Sequence, residues 1–159
     1  MLTPEEQTEW RTRTDPKRED GYEDACWRLC HLYSILDREG KLVPFVPTIE
    51  QIEVIMCIHA RGWRRIIIPK ARQLGMSTVL VLIAFDLVLF TQGFSAALVD
   101  KRGDDAEKKM REKVMVAFDS LGEEDRAIYD VEERTTTRIG LRTGKDEALS
   151  RYEVGVTFR

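Results

Sequence analysis

Apolar positions along this chain fall into two rhythms, one helical and one alternating. From Tyr22 to Asp37 the residues Ala25, Cys26, Leu29, Leu32, Tyr33 and Leu36 recur at helical spacing and predict a helix that Gly40 stops. Upstream, Thr3-Pro4-Glu5-Glu6 has a capping threonine and a first-position proline, which predicts a helix start. Leu42 to Pro47, with two prolines, reads as an extended link, after which Thr48 caps a helix over Ile49 to Ala60 that Gly62 ends.

Trp63 to Pro69 changes the rhythm. Ile66-Ile67-Ile68 is a β-branched run too short for a helix, and it stops at Pro69, so it predicts a buried parallel strand. Ser77 to Thr91 is a helix apolar nearly all round and should be covered on most sides. Phe94 to Val99 reads as an apolar strand closed by Asp100. Asp104 to Leu121 reads as an amphipathic helix with Ala106, Met110, Val114, Ala117, Phe118 and Leu121 on one stripe. Beyond Asp130 come short alternating pieces, Thr136 to Leu141 and Tyr152 to Phe158, with a turn at Thr143-Gly144-Lys145. This order predicts an α/β domain with a parallel core over residues 45–159, preceded by an N-terminal helical extension over residues 1–44.

Composition narrows the picture. The 159 residues are 43% apolar, enough for one sizeable core, and the net charge of −3 with a pI near 5.5 gives no global basic footprint. Any nucleic-acid contact must therefore be local or shared among subunits. Three cysteines make no disulfide framework. Cys26 and Cys30 lie on one helix face, but His31 points about 100° away from Cys30 and no second ligand pair follows, so buried thiols are favoured over zinc. Met1 to Asp20 is too polar for a signal peptide. Val79 to Phe90, interrupted by Asp86, is too short to span a bilayer and suits a buried helix, so a soluble intracellular protein is expected.

The chemistry concentrates at Lys70-Ala71-Arg72-Gln73-Leu74-Gly75-Met76-Ser77-Thr78. A hydrophobic strand running into a loop that ends at a helix start is what phosphate binding requires, because loop and first-turn amides converge on the anion and the helix dipole adds attraction. Gly75 fits where a side chain would block the approach of the backbone, and Ser77 is placed to offer its hydroxyl to Mg²⁺. The standard Gly-x4-Gly-Lys-Ser/Thr pattern is not met: Lys70 stands where the first glycine should be and Met76 where the lysine should be. Cationic charge is still present, with Lys70 at the start of the loop and Arg72 two residues on. The competing description is an ordinary basic turn followed by a capped helix, which the strand–loop–helix context disfavours.

The segment Lys70 to Thr78 resembles the deviant Walker A loop of the large terminase subunits of tailed bacteriophages, the ATP-driven motors that package DNA into procapsids. In part of that family the phosphate-binding lysine stands at the start of the loop. The resemblance implies a P-loop NTPase-type parallel sheet flanked by helices, with ATP and Mg²⁺ as cofactors. It further implies that Lys70 grips the β/γ-phosphates, Arg72 and Gln73 report on the γ-phosphate, Ser77 holds the metal and Thr78 meets the α-phosphate, with Ala71, Leu74, Gly75 and Met76 completing the loop. Pro47-Thr48-Ile49-Glu50-Gln51 resembles the adenine-recognising glutamine motif, with Gln51 as the amide for the base. Ser95 to Asp100 and Asp104 to Glu107 are similar to the family's second strand and following helix, so the resemblance covers residues 45–121. Double-stranded DNA, a portal protein, a small terminase subunit and a homo-oligomeric ring are the implied partners, without a membrane, in the cytoplasm of an infected bacterium.

A hydrophobic strand ending in Asp-Glu, which would supply the second Mg²⁺ partner and the catalytic base, is not found. Ala97-Leu98-Val99-Asp100 comes nearest, but Lys101 follows it, and Asp100 or Asp104 is better read as a cap of the next helix. The chain ends in what reads as mid-strand, so the domain is expected to be incomplete, truncated before its catalytic pair and nuclease domain, with little turnover of its own. Two other readings are a different P-loop motor such as a helicase, and an interaction module whose loop is dead because Met76 replaces lysine.

Overall fold

The computed structural model describes residues 2–63, 65–68, 75–144 and 148–156. Helix α1 (Pro4–Arg13) opens through a reciprocal capping box: the Thr3 amide donates to Glu6 Oε2 at 2.8 Å and the Glu6 amide to Thr3 Oγ1 at 3.2 Å. Helix α2 (Ala25–His31) is capped by Asp24, whose carboxylate accepts the Cys26 amide at 2.9 Å.

The long helix predicted over Tyr22 to Asp37 is realised only as α2 and a short 3₁₀ turn at Gly21–Glu23. The chain then forms β1 (Ser34–Leu36), antiparallel to β2 (Leu42–Pro44). Gly40, at φ 79°, does not stop a helix but takes the hairpin turn, in which the Asp37 carboxylate accepts the Glu39 and Lys41 amides, each at 2.9 Å. The turn chemistry wins because the hairpin buries Tyr33 and Phe45, both 2% exposed, against the rest of the protein.

Helix α3 (Ile49–His59) follows, with Thr48 and Gln51 in a second capping box. The strand predicted over Trp63 to Pro69 is not formed in its described part: residues 65–68 belong to no ladder, Ile67 is 94% exposed, and Ile68 packs at the margin of the core. Beyond it, α4 (Met76–Phe90) is the central helix, buried along Val79, Val81, Leu82, Ile83, Phe85, Val88 and Leu89 as its all-round apolarity requires.

Strand β3 (Ser95–Asp100) leads into one helical stretch made of α5 (Gly103–Lys109), a wide π turn (Met110–Met115) and α6 (Val116–Asp119). The predicted stripe of Ala106, Met110, Val114, Ala117, Phe118 and Leu121 is buried throughout. A short α7 (Glu123–Ala127) then precedes β4 (Tyr129–Arg134), β5 (Arg138–Thr143) and β6 (Ser150–Val156). Strand β4 is not legible beforehand, since only Tyr129 and Val131 interrupt its charges.

The sheet order is β3-β6-β5-β4. Only β3 and β6 are parallel, with Ala97 opposite Glu153; β5 is antiparallel to both β6 and β4. The predicted parallel core is thus corrected to a mixed sheet in an α/β protein. Short connections between β4, β5 and β6 permit only antiparallel pairing, whereas the helical stretch between β3 and β6 gives the chain room to return in the same direction. Phe85 ties the layers together, meeting Phe118 of α6 and Tyr152 of β6 edge-on with ring centroids 6.3 and 6.1 Å apart. Leu2, Cys26, Leu29, Tyr33 and Phe45, all within the first 45 residues, belong to the same core. Among the described residues no helix is long and apolar enough to cross a membrane.

Candidate functional site

Gly75 begins the site. It is the N-cap of α4 with φ 64° and ψ 12°, a left-handed conformation that glycine adopts without strain. Its carbonyl accepts the Thr78 amide at 2.9 Å and the Val79 amide at 3.2 Å. A glycine cap offers no side-chain oxygen, and the Met76 and Ser77 amides have no acceptor within the helix, so the head of α4 has donors that could receive an anion.

The first turn divides its side chains. Met76, at the position that carries lysine in the standard loop, is 3% exposed and belongs to the core. Ser77 and Thr78 are partly exposed. Lys70, Ala71, Arg72, Gln73 and Leu74 lie outside the described residues.

Gln51 comes to the same place from α3. It is 5% exposed, and its Oε1 accepts the Thr48 amide at 3.0 Å, an arrangement fixed by its third position in the helix. Its amide nitrogen faces the loop glycine: a Cβ built on Gly75 would stand 2.5 Å from Gln51 Nε2. Two residues singled out 24 positions apart in the sequence are therefore in direct apposition.

The third side of the site comes from the helical stretch after β3. Lys113, in the π turn, donates from Nζ to Thr78 Oγ1. One turn earlier, Lys109 pairs with Asp100 Oδ2, and Asp100 Oδ1 accepts the Lys101 amide at 2.7 Å. The Lys109 ammonium and the Lys101 amide hold the Asp100 carboxyl below the usual carboxylate range. Helix α5 takes Arg102 as its cap without a side-chain bond, so neither Asp100 nor Asp104 is the expected cap. Asp104 instead sits in the first turn, where its charge suits the helix dipole. Neither lysine was legible as a site residue, because both read as the solvated side of an amphipathic helix.

Burial pushes the Cys26 and Cys30 thiols up to about 12, which leaves them protonated and unreactive at neutral pH. His31 lies against Trp27, with Nε2 3.0 Å from the Thr14 carbonyl oxygen.

Comparison with protein-family models and with curated proteins found no match to this chain.

Proposed function

We propose that this chain is the ATP-binding part of a viral DNA-packaging motor of the large-terminase type. The observation that carries the reading is the apposition of Gln51 Nε2 and Gly75 at the head of α4, because a base-recognising amide and a phosphate-binding turn must lie within the length of one nucleotide to share it. The left-handed Gly75, the first-turn amides and the partly exposed Ser77 fit a phosphate with its Mg²⁺. Burial of Met76 favours a lysine supplied from elsewhere, the role the resemblance gives to Lys70.

In this reading Ser77 would hold Mg²⁺, Thr78 would meet the α-phosphate, Gln51 the adenine, and Arg72 and Gln73 the γ-phosphate. Bound Mg²⁺ supplies charge neutralisation at the phosphates; this chain's own residues bind and orient the nucleotide. Contacts to double-stranded DNA would be made to its phosphates and summed over a ring of subunits, which an acidic single chain permits. A portal protein and a small terminase subunit would complete the assembly in the cytoplasm of the infected bacterium.

Calorimetric titration of ATP, with and without Mg²⁺, tests the site. Each charge-assisted hydrogen bond from lysine to phosphate is worth roughly 1.5–3 kcal/mol, so Lys70→Ala should weaken binding by about 10- to 100-fold. Ser77→Ala should spare metal-free binding and reduce the gain from Mg²⁺. A wild-type chain that binds no ATP would exclude the nucleotide reading and favour an interaction module.

A further inference from the structure

We propose that the turn after α3 is a contact for single-stranded nucleic acid, with Trp63 stacking on an unpaired base and Arg65 meeting a backbone phosphate. Between Glu53 and Asp86 the sequence has no acidic residue, yet Arg61, Arg64, Arg65, Lys70 and Arg72 all fall there, in a chain whose net charge is −3. Cationic charge is thus concentrated locally, which is what a nucleic-acid contact on an acidic chain requires.

The described part of the turn holds an aromatic ring at the surface. Helix α3 ends at His59, Gly62 turns left-handed at φ 66°, and the Trp63 amide donates to the Cys57 carbonyl at 3.0 Å, which ties the backbone beneath the indole to the helix end. Arg61 is anchored twice: it pairs with Glu6 of α1, and its Nη1 donates to Cys57 Sγ at 3.3 Å. Its guanidinium carbon stands 5.6 Å from the centre of the Trp63 ring, within the range of a cation–π contact that steadies the indole. Trp63 nevertheless remains 50% exposed, and Arg65, also exposed, makes no ion pair among the described residues. A steadied, half-exposed indole near such a cation suits a single strand, whose bases stack on the ring whatever their sequence while the cation tracks the backbone. A duplex keeps its bases stacked on one another and would offer the turn only phosphates. An acidic peptide would meet the arginines and leave the indole without a flat partner.

Fluorescence titration of the 159-residue chain tests this, with oligo(dT), oligo(rU), a duplex of the same length and poly-glutamate as probes, each at several salt concentrations. Binding of a single strand should quench tryptophan emission, and the quench should vanish in Trp63→Phe while most of the affinity stays. Trp63→Ala should bind about tenfold more weakly or worse, because a stacked base is lost. Arg65→Ala should lower the slope of log affinity against log salt by about 0.7, the loss of one phosphate contact on a single strand, and Arg65→Lys should keep it. Both side chains are exposed, so these variants should unfold at nearly the wild-type temperature. Either single strand bound in this way supports the proposal, and the tighter of the two identifies DNA or RNA as its source. A wild-type chain that binds neither strand overturns it, as does unchanged affinity and salt slope in Trp63→Ala and Arg65→Ala. Duplex bound as tightly as a single strand, with tryptophan emission unchanged, overturns the stacking, and equal binding of poly-glutamate overturns the choice of nucleic acid. ATP titration of the same chain is a separate measurement, so this contact stands or falls apart from the nucleotide site.

Discussion

Arg28 and Asp86 form a bidentate ion pair inside the protein: Arg28 Nη2 donates to Asp86 Oδ2 at 2.7 Å and Nε to Oδ1 at 3.0 Å, with Asp86 fully buried. The Tyr33 hydroxyl adds a third donor to Asp86 at 2.8 Å, and Arg28 also caps the Phe90 ring at 4.1 Å and donates to the Tyr22 carbonyl at 2.9 Å. One carboxylate in the middle of α4 thereby fastens α2 and the β1–β2 hairpin. Removing one partner of a buried pair strands the other charge, so Asp86→Ala should cost about 3–5 kcal/mol in urea unfolding. A loss below about 1 kcal/mol would show that water reaches the pair.

Asp24 makes stability depend on acid. Burial works to raise its pKa, but bonds from Arg13 and Arg18 and from the Cys26 amide outweigh it and bring the carboxyl down to about 2. A depressed folded-state value against about 3.9 in the unfolded chain means that the stabilisation is present above pH 4 and is lost as pH falls from about 4 toward 2. Asp24→Asn keeps an acceptor for the Cys26 amide and removes the charge. Its unfolding temperature should be lower at neutral pH and fall less steeply between pH 4 and pH 2. Identical slopes in the two proteins would exclude Asp24 as a source of the acid sensitivity.

Gly75→Ala tests the junction of Gln51 and α4. An L residue in the left-handed region costs roughly 1–2 kcal/mol, and the new methyl would collide with Gln51 Nε2. Trimming the partner in Gly75→Ala/Gln51→Ala relieves the collision but not the backbone strain, so the double variant should recover part of the lost stability. No recovery in thermal unfolding would mean that Gln51 does not press on this glycine.

Met76 distinguishes packing from binding. Its burial predicts that Met76→Ala costs about 2–5 kcal/mol through the cavity left behind, while Met76→Leu costs less than about 1.5 kcal/mol. Nucleotide affinity of the folded protein should be nearly unchanged in Met76→Leu, in contrast to Lys70→Ala. A large loss of affinity with intact stability would place the thioether at the ligand.

The sheet has an open side at β3, which pairs with β6 and has no strand on its other side among the described residues. Ala97 and Val99 are exposed on it. Unpaired strand edges template association, so sedimentation should show concentration-dependent self-association that Val99→Lys suppresses. A monomer at all concentrations would mean that the edge is covered.

What the sequence alone determined is local. Thr3 with Glu6, and Thr48 with Gln51, set helix starts through contacts three residues long, and the apolarity of Val79 to Phe90, broken only by Asp86, required a central buried helix whatever surrounded it. The stripe from Ala106 to Leu121 is likewise a property of spacing. Pairing was decided only in three dimensions. Leu32 to Leu36 fits a helix or a strand, and the burial of Tyr33 and Phe45 in a hairpin settled it. Ile66 to Ile68 has strand residues but no ladder, because hydrogen bonds between strands depend on a neighbour that composition does not specify. The direction of β5 and β6 followed from the length of their connections. Gln51 and Gly75 were each legible as candidates, yet their apposition and the reach of Lys113 to Thr78 came from the packing of α3, α4 and the π turn. Periodicity records which face of an element is buried and carries no information about what that face meets.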